Sequence, residues 1–226
     1  AKVYEKVKKK YGKKDLQYQL RATVAAGVAY KRADKTKNRK RTTKLLKAAA
    51  KIWAKLQPPE PKEGAKPKRA KKSKKPAEPV VIEDSTKVYA ALGALELAEY
   101  SYDDYAKMRI EAINKRGEFD MKKLGKTLEK KAKALGDTSK DFDVVLGFRD
   151  PGMAAAAAFR EGQLLYEFAE SLFNAPVPPE IAENPDDVDE YRYQLEEFAA
   201  PIQEKSLKAF TLALKSALDK NVYNSW

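Results

Sequence analysis

The chain contains neither cysteine nor histidine. Without cysteine there is no disulfide framework and no thiolate metal site, and the redox state of the compartment is left open. Without histidine, the commonest general base near neutral pH and the commonest metal ligand are both missing. A Ser-His-Asp arrangement or a histidine-based zinc site therefore cannot be assembled from these 226 residues. No run approaches the roughly 20 apolar residues that cross a bilayer. Neither a calcium-loop pattern nor a phosphate-cradling glycine loop occurs, and no nucleophile has a recognisable base beside it. These absences argue against catalysis by the residues present and against a resident metal or cofactor, and they favour a binding role.

What the chain does have is charge, unevenly placed. The formal net charge is +13. Residues 1–79 hold 27 lysines and arginines against 6 acids, whereas residues 80–226 hold 19 against 27. Asymmetry of this size points to two surfaces with different partners, or to one part steering the other. The length allows a core of ordinary size, as one or two globular units or an elongated stack. The chain opens inside a helical pattern, Val3-Tyr4-Glu5-Lys6-Val7, and stops at Trp226. That reads as a piece of a longer protein, so a missing targeting segment leaves location open.

Hydrophobic periodicity predicts helices throughout. Residues 2–10 end one helix, with Tyr11-Gly12 as its stop. Asp15 caps a second, running to about Lys35, with Leu16, Leu20, Val24 and Val28 as its stripe and Ala25 and Ala29 on the buried face. A third, about 41–56, turns Leu45, Ala49, Ile52 and Trp53 inward. Residues 57–79 contain 6 of the 12 prolines and 8 basic residues, with too little apolar surface to offset ordering entropy. A mobile, extended linker is expected there.

A long helix is expected from about Asp84 to Asn114, packing through Val88, Leu92, Leu95, Ala98, Tyr102 and Tyr105 and ending at Arg116-Gly117. Leu124, Leu128, Ala132 and Leu135 mark a lysine-rich helix stopping at Gly136, before a short helix at 139–147 that buries Phe142, Val145 and Leu146. Asp150-Pro151 and Asn184-Pro185 are start signals, a capping side chain followed by proline at the first helical position. The first opens a helix to about Asn174 with Ala158, Gly162, Leu165, Ala169 and Leu172 on one stripe, closed by Pro176, Pro178 and Pro179. In the last helix Val188, Tyr191, Leu195, Phe198 and Ile202 keep a spacing of three and four. Leu207, Phe210 and Leu214 resume after a jump at Pro201. An interior proline costs about 3 kcal/mol, so a kink is expected there that lets the second half face a different neighbour. The fold class is all-α, with a basic helical segment at 1–56, the linker at 57–79 and a second helical segment at 80–226.

Three glycines, Gly27, Gly93 and Gly162, lie inside these helical runs. Interior glycine is unfavourable by roughly 1 kcal/mol relative to alanine, and close approach of neighbouring helices supplies a reason for it. Ala26, Gly27 and Tyr30 match the first helix of a tetratricopeptide repeat, and Ala49 with Trp53 matches the second. The chain resembles that family over most of 1–56 and 84–226. Residues 35–44 stand as an insertion, and Tyr11-Gly12 lacks the proline the repeat normally has. The C-terminal half is similar to long-repeat envelope proteins of delta-proteobacteria, including proteins of the myxobacterial gliding-motility machinery. The residues that carry this likeness are Ala154 to Ala175, Pro176-Val-Pro-Pro179, Tyr191 to Leu195, Pro201 and Val222 to Trp226. The resemblance implies antiparallel helix hairpins stacked as an α-solenoid, a non-catalytic scaffold of the cell envelope, and a periplasmic or outer-membrane-associated location. The lysine-rich linker is this chain's own departure.

Candidate binding residues form two groups. Lys68, Arg69, Lys71 and Lys72, within the run Lys62 to Lys75, suit nucleic-acid phosphates, anionic lipid headgroups or cell-wall polymers. The plain alternative is a solvated spacer. With no aromatic among 57–79 there is no stacking platform, so nucleic-acid binding there is non-specific. Tyr100, Tyr102 and Tyr105, with Tyr89 before them, either line a peptide groove or fill space between helices, and Tyr166 and Phe168 share that ambiguity. The acidic groups Asp103-Asp104 and Asp186-Asp187-Asp189-Glu190 read as helix caps and solvated surface rather than metal ligands. The favoured function is a protein-binding adaptor whose basic third meets an acidic partner or the acidic part of another copy. The alternatives are non-specific binding of nucleic acid or another anionic polymer, and a catalytic domain outside this chain.

Overall fold

The computed structural model describes residues 1–11, 15–57 and 81–222. The linker expected at 57–79, apart from Gln57, lies outside the described residues, as do Lys68, Arg69, Lys71 and Lys72. Among the described residues the structure is all-α: α1 (Lys2–Tyr11), α2 (Leu16–Ala33), α3 (Arg39–Leu56), α4 (Asp84–Ala106), α5 (Met121–Leu146), α6 (Pro151–Phe173), α7 (Pro179–Ala182) and α8 (Pro185–Asp219). An isolated antiparallel bridge joins Ile113 to Phe119. The chain divides into two compact units, Ala1–Gly93 and Ala94–Trp226.

The start signals are satisfied in atomic detail. The Asp15 side chain accepts hydrogen bonds from the amides of Gln17 and Tyr18, Asp150 from Met153, and Asn184 from Asp186. Each cap satisfies amides that the first turn leaves without a partner, and Pro151 and Pro185 occupy positions where no amide is needed. Asp120 caps α5 in the same way through the Lys123 amide.

In the first unit α2 and α3 form an antiparallel hairpin around Leu20, Val24, Leu46, Ala49 and Ile52. The buried face of α2 includes Ala22, Thr23, Ala26 and Gly27, whereas Ala25 and Ala29 are half-buried and Leu16 is exposed. On α3 the inward residue is Leu46 rather than Leu45, and Trp53 is half-buried. Small side chains beside Leu20 and Val24 let α3 approach, which shifts the packed face away from the purely aliphatic stripe. The first half of α4 runs parallel to α2. Gln17 reaches the Val81 carbonyl, Arg21 pairs with Glu83 at 2.7 Å, and Val24 packs at Gly93.

In the second unit the core gathers Leu95, Ala98, Tyr102, Tyr105, Phe142, Val145, Ala156, Ala157, Leu164, Phe168 and Ala199. Four expectations are corrected here. First, α4 ends at Ala106 rather than Asn114, and Val88 is exposed. Residues 107–120 form a connection turned at Gly117, whose φ of +82° suits a residue without Cβ. Second, Gly136 stops nothing: α5 runs unbroken to Leu146, and Ala132 is exposed on it. The roughly 1 kcal/mol that an interior glycine costs is outweighed where flanking turns are anchored by burial, as Lys131, Thr138 and Phe142 are.

Third, on α6 the stripe is Ala155, Ala156, Ala157, Gly162, Leu164, Phe168, Ala169 and Leu172, with Ala158 and Leu165 only half-buried. Fourth, α8 passes through Pro201 without a change of phase. Its buried seam is Ala199, Ser206 and Ala213, seven residues apart, with Ile202 and Ala209 half-buried between them and Leu195 half-buried before them. Both halves of α8 therefore face α6, antiparallel to it. The Ser206 hydroxyl donates to the Gly162 carbonyl at 2.7 Å, and the Phe210 ring packs on Phe159 at 5.4 Å.

Candidate functional site

The sequence-predicted residues sort into packing positions and unreached ones. A Cβ on Gly27 would lie 2.9 Å from Leu46 Cδ2, on Gly93 3.0 Å from Val24 Cγ2, and on Gly162 2.8 Å from the Phe210 ring. Each of these glycines is thus a point where a neighbouring helix comes close. Ala26, Tyr30 and Ala49 are buried in the first unit, where the Arg41 guanidinium covers the Tyr30 ring at 4.2 Å. Tyr100, Tyr102 and Tyr105 are buried as well, filling space between helices. The Tyr105 hydroxyl donates to the Leu164 carbonyl at 3.1 Å, and the Tyr102 hydroxyl to Glu167.

A cleft of about 410 Å³ lies at the C-terminal end of α4, bounded by the connection after it, α5 and α6. Its walls carry Arg109, Ile110, Lys131, Glu167, Glu170 and Asn174. Lys131 is the unexpected member. It is 2 % exposed, and it stands in the α5 series Leu124, Lys131, Thr138, Val145, a spacing of seven in which every member is buried. Its Nζ donates to the Met108 carbonyl at 2.8 Å and lies 5.0 Å from the centre of the Tyr105 ring, a cation–π contact. An ammonium has three N–H donors, and Met108 is the acceptor the described residues supply. Burial lowers the Lys131 pKa; the carboxylate of Glu167 opposes that shift, and the nearby Arg109 charge adds to it.

Glu167 is fixed from behind. The Tyr102 hydroxyl donates to its Oε1. Burial, followed by this hydrogen bond and the negative charge of Glu167, raises the Tyr102 pKa well above the usual phenol range, so the hydroxyl stays protonated and continues to donate. Tyr102 is itself held by the Arg160 guanidinium, 4.7 Å from its ring centre. Arg160 in turn clasps the buried Glu99 through Nε at 2.6 Å and Nη2 at 2.9 Å. The pairs 99–160 and 102–167 advance together, so α4 and α6 run parallel here. Arg109 is exposed, reaching the Ala106 carbonyl at 3.4 Å. The Glu170 side chain points from the same helix face as Glu167, while the Asn174 amide donates to the Glu170 carbonyl at 2.8 Å.

Chemically, the cleft's side chains offer two cations, two carboxylates and an amide. Sequence reasoning missed Lys131 because lysine was counted as solvated surface. The available signal was its place seven residues from Leu124 and fourteen from Val145.

A second surface lies on α8. Phe198 is 71 % and Leu207 66 % exposed, and Leu212, Leu214 and Leu218 are exposed with them. Leu207, Leu214 and Leu218, spaced seven and four, share one face. Among the described residues no helix is long and apolar enough to cross a membrane, and no three or more acidic side chains are grouped to hold a metal ion. Compared with protein-family models, curated proteins and solved structures, the chain matches none. Among the described residues the protein is all-helical, with a polar cleft in the second unit and an exposed apolar face on α8.

Proposed function

We propose that this chain is a non-catalytic, protein-binding helical scaffold, its hairpins stacked as a tetratricopeptide-like solenoid. The observation that carries the reading is the α8 face. A helix that buries alanine and serine while leaving Leu207, Leu214 and Leu218 in solvent has an apolar surface in excess of what its own fold uses. Parallel placement of α2 beside the first half of α4, and of α4 beside α6, supports a repeated hairpin arrangement. The sequence resemblance adds a setting: a periplasmic or outer-membrane-associated assembly of the gliding-motility type.

The test is a photo-crosslinking amino acid at position 214, against the same group at Lys208 on another face. The expected result is one defined adduct at 214, and co-purification of that same protein lost in Leu207→Glu/Leu214→Glu. Equal adduct patterns at both positions would remove the basis for the reading.

One observation favours a second reading. Lys40, Lys44, Lys47, Lys51 and Lys55 are all exposed and follow one another along α3 at spacings of three and four. Such a row suits a regularly charged anionic polymer, nucleic acid included, bound without sequence preference. Retention of unrelated duplexes that falls steeply with salt and disappears in a Lys44→Glu/Lys51→Glu variant supports it; salt-insensitive retention speaks against it.

A further inference from the structure

We propose that the cleft between α4, α5 and α6 binds a small zwitterion of the amino-acid class, its carboxylate on Lys131 and Arg109 and its ammonium on Glu170. The inference starts from Lys131. A lysine that is almost wholly buried has given up its hydration, and burial of that kind is tolerated when acceptors replace water. The described residues give its Nζ one hydrogen-bond acceptor, the Met108 carbonyl, and a ring face. The residue also lines the cleft. Arg109 lines the same cleft as a second cation, and its charge bears on Lys131.

The opposite charges in the cleft are as telling. Glu167 and Glu170 line it too, yet among the described residues neither forms an ion pair with Lys131 or Arg109. Glu167 is committed to the Tyr102 hydroxyl, and Glu170 accepts a hydrogen bond from Asn174 at its backbone carbonyl rather than at its carboxylate. Formally, two positive and two negative groups cancel. A simple anion meets repulsion from the glutamates, and a simple cation meets it from Arg109 and Lys131. A ligand carrying both signs gains at both ends and supplies the acceptor that Lys131 needs. The volume, about 410 Å³, sits toward the small end of the roughly 300–1,000 Å³ range of small-molecule sites. Ile110 and Ala106 give the ligand's side chain an apolar wall. This site is independent of the α8 face.

The test is calorimetric titration of the whole chain with the standard L-amino acids, each beside its N-acetyl and carboxamide derivatives. The expected result is saturable binding of at least one amino acid, weakened about tenfold or more when either end is blocked. Arg109→Gln, at an exposed side chain, Glu170→Gln, which keeps the side chain's shape, and Lys131→Met, which keeps the length of the buried stem, should each weaken binding by a similar factor. Circular dichroism reports whether each variant is folded. Leu207→Glu/Leu214→Glu should bind as the wild type does. Absence of binding by all the amino acids, equal binding of the blocked derivatives, or undiminished binding by folded Arg109→Gln and Glu170→Gln would each overturn the proposal.

Discussion

Glu99 anchors the chain of contacts that runs through Arg160 to the Tyr102 ring. It is buried, and Arg160 meets it with two parallel N–H···O bonds at 2.6 and 2.9 Å. Removing one partner of such a pair leaves the other charge uncompensated, at a cost of about 3–5 kcal/mol. Glu99→Ala should therefore lower the urea midpoint sharply. The double variant Glu99→Met/Arg160→Met should lose less than the two single changes summed, because no stranded charge remains. Glu161 behaves in the opposite sense. Burial, then the charge of Asp143, raises its pKa above the usual carboxylate value, while a hydrogen bond from Ser139 lowers it. The folded state thus holds the Glu161 proton more tightly than the unfolded one. Stability falls as pH rises through that raised value, so ionised Glu161 is a burden at neutral pH. Glu161→Gln should be the more stable protein near neutrality, by less than about 1 kcal/mol given partial solvation. The advantage should shrink as denaturation is repeated at progressively more acid pH.

At the scale of elements, the glycines separate two kinds of helix. Gly125 and Gly136 in α5 have open space where a Cβ would be, whereas Gly162 in α6 faces the Phe210 ring at 2.8 Å. Gly125→Ala and Gly136→Ala should each stabilise by about 0.5–1 kcal/mol, the ordinary helix-propensity gain. Gly162→Ala should instead destabilise, since overpacking against a ring costs about 1–3 kcal/mol and exceeds that gain. Thermal melts of the three variants decide the matter. The capped starts at Asp15, Asp150 and Asn184 were legible in the sequence because a cap is local chemistry. The packed faces were less so. Rank by hydrophobicity selected Phe198, Leu207 and Leu214 on α8, but the contact with α6 runs through Ala199, Ser206 and Ala213, where narrow side chains permit proximity. On α5 the same habit passed over Lys131, whose partner, the Met108 carbonyl, lies in a connection that the pattern had assigned to helix. Only tertiary placement reveals such a partner.

For the molecule as a whole, the regular charge row and the apolar helix face fall in different units. The lysine row on α3 belongs to the first unit and the leucine face on α8 to the second. Crowded like charges destabilise through repulsion that salt screens over a Debye length of about 8 Å at physiological strength. Amide-exchange protection within residues 15–57 should accordingly rise with added sodium chloride, more than it does within 121–222. Unequal protection in the reverse direction would mean that the lysines are already neutralised by their neighbours. The α8 seam has its own consequence for how this protein tolerates changes in length. With contacts recurring every seventh position, one residue inserted between Ser206 and Ala213 turns everything after it by about 100°. Ala213 then leaves the groove and a bulky neighbour is driven toward it. Losing or gaining seven residues instead preserves the alignment and alters only reach. Indels in this rod should therefore survive in whole heptads or not at all.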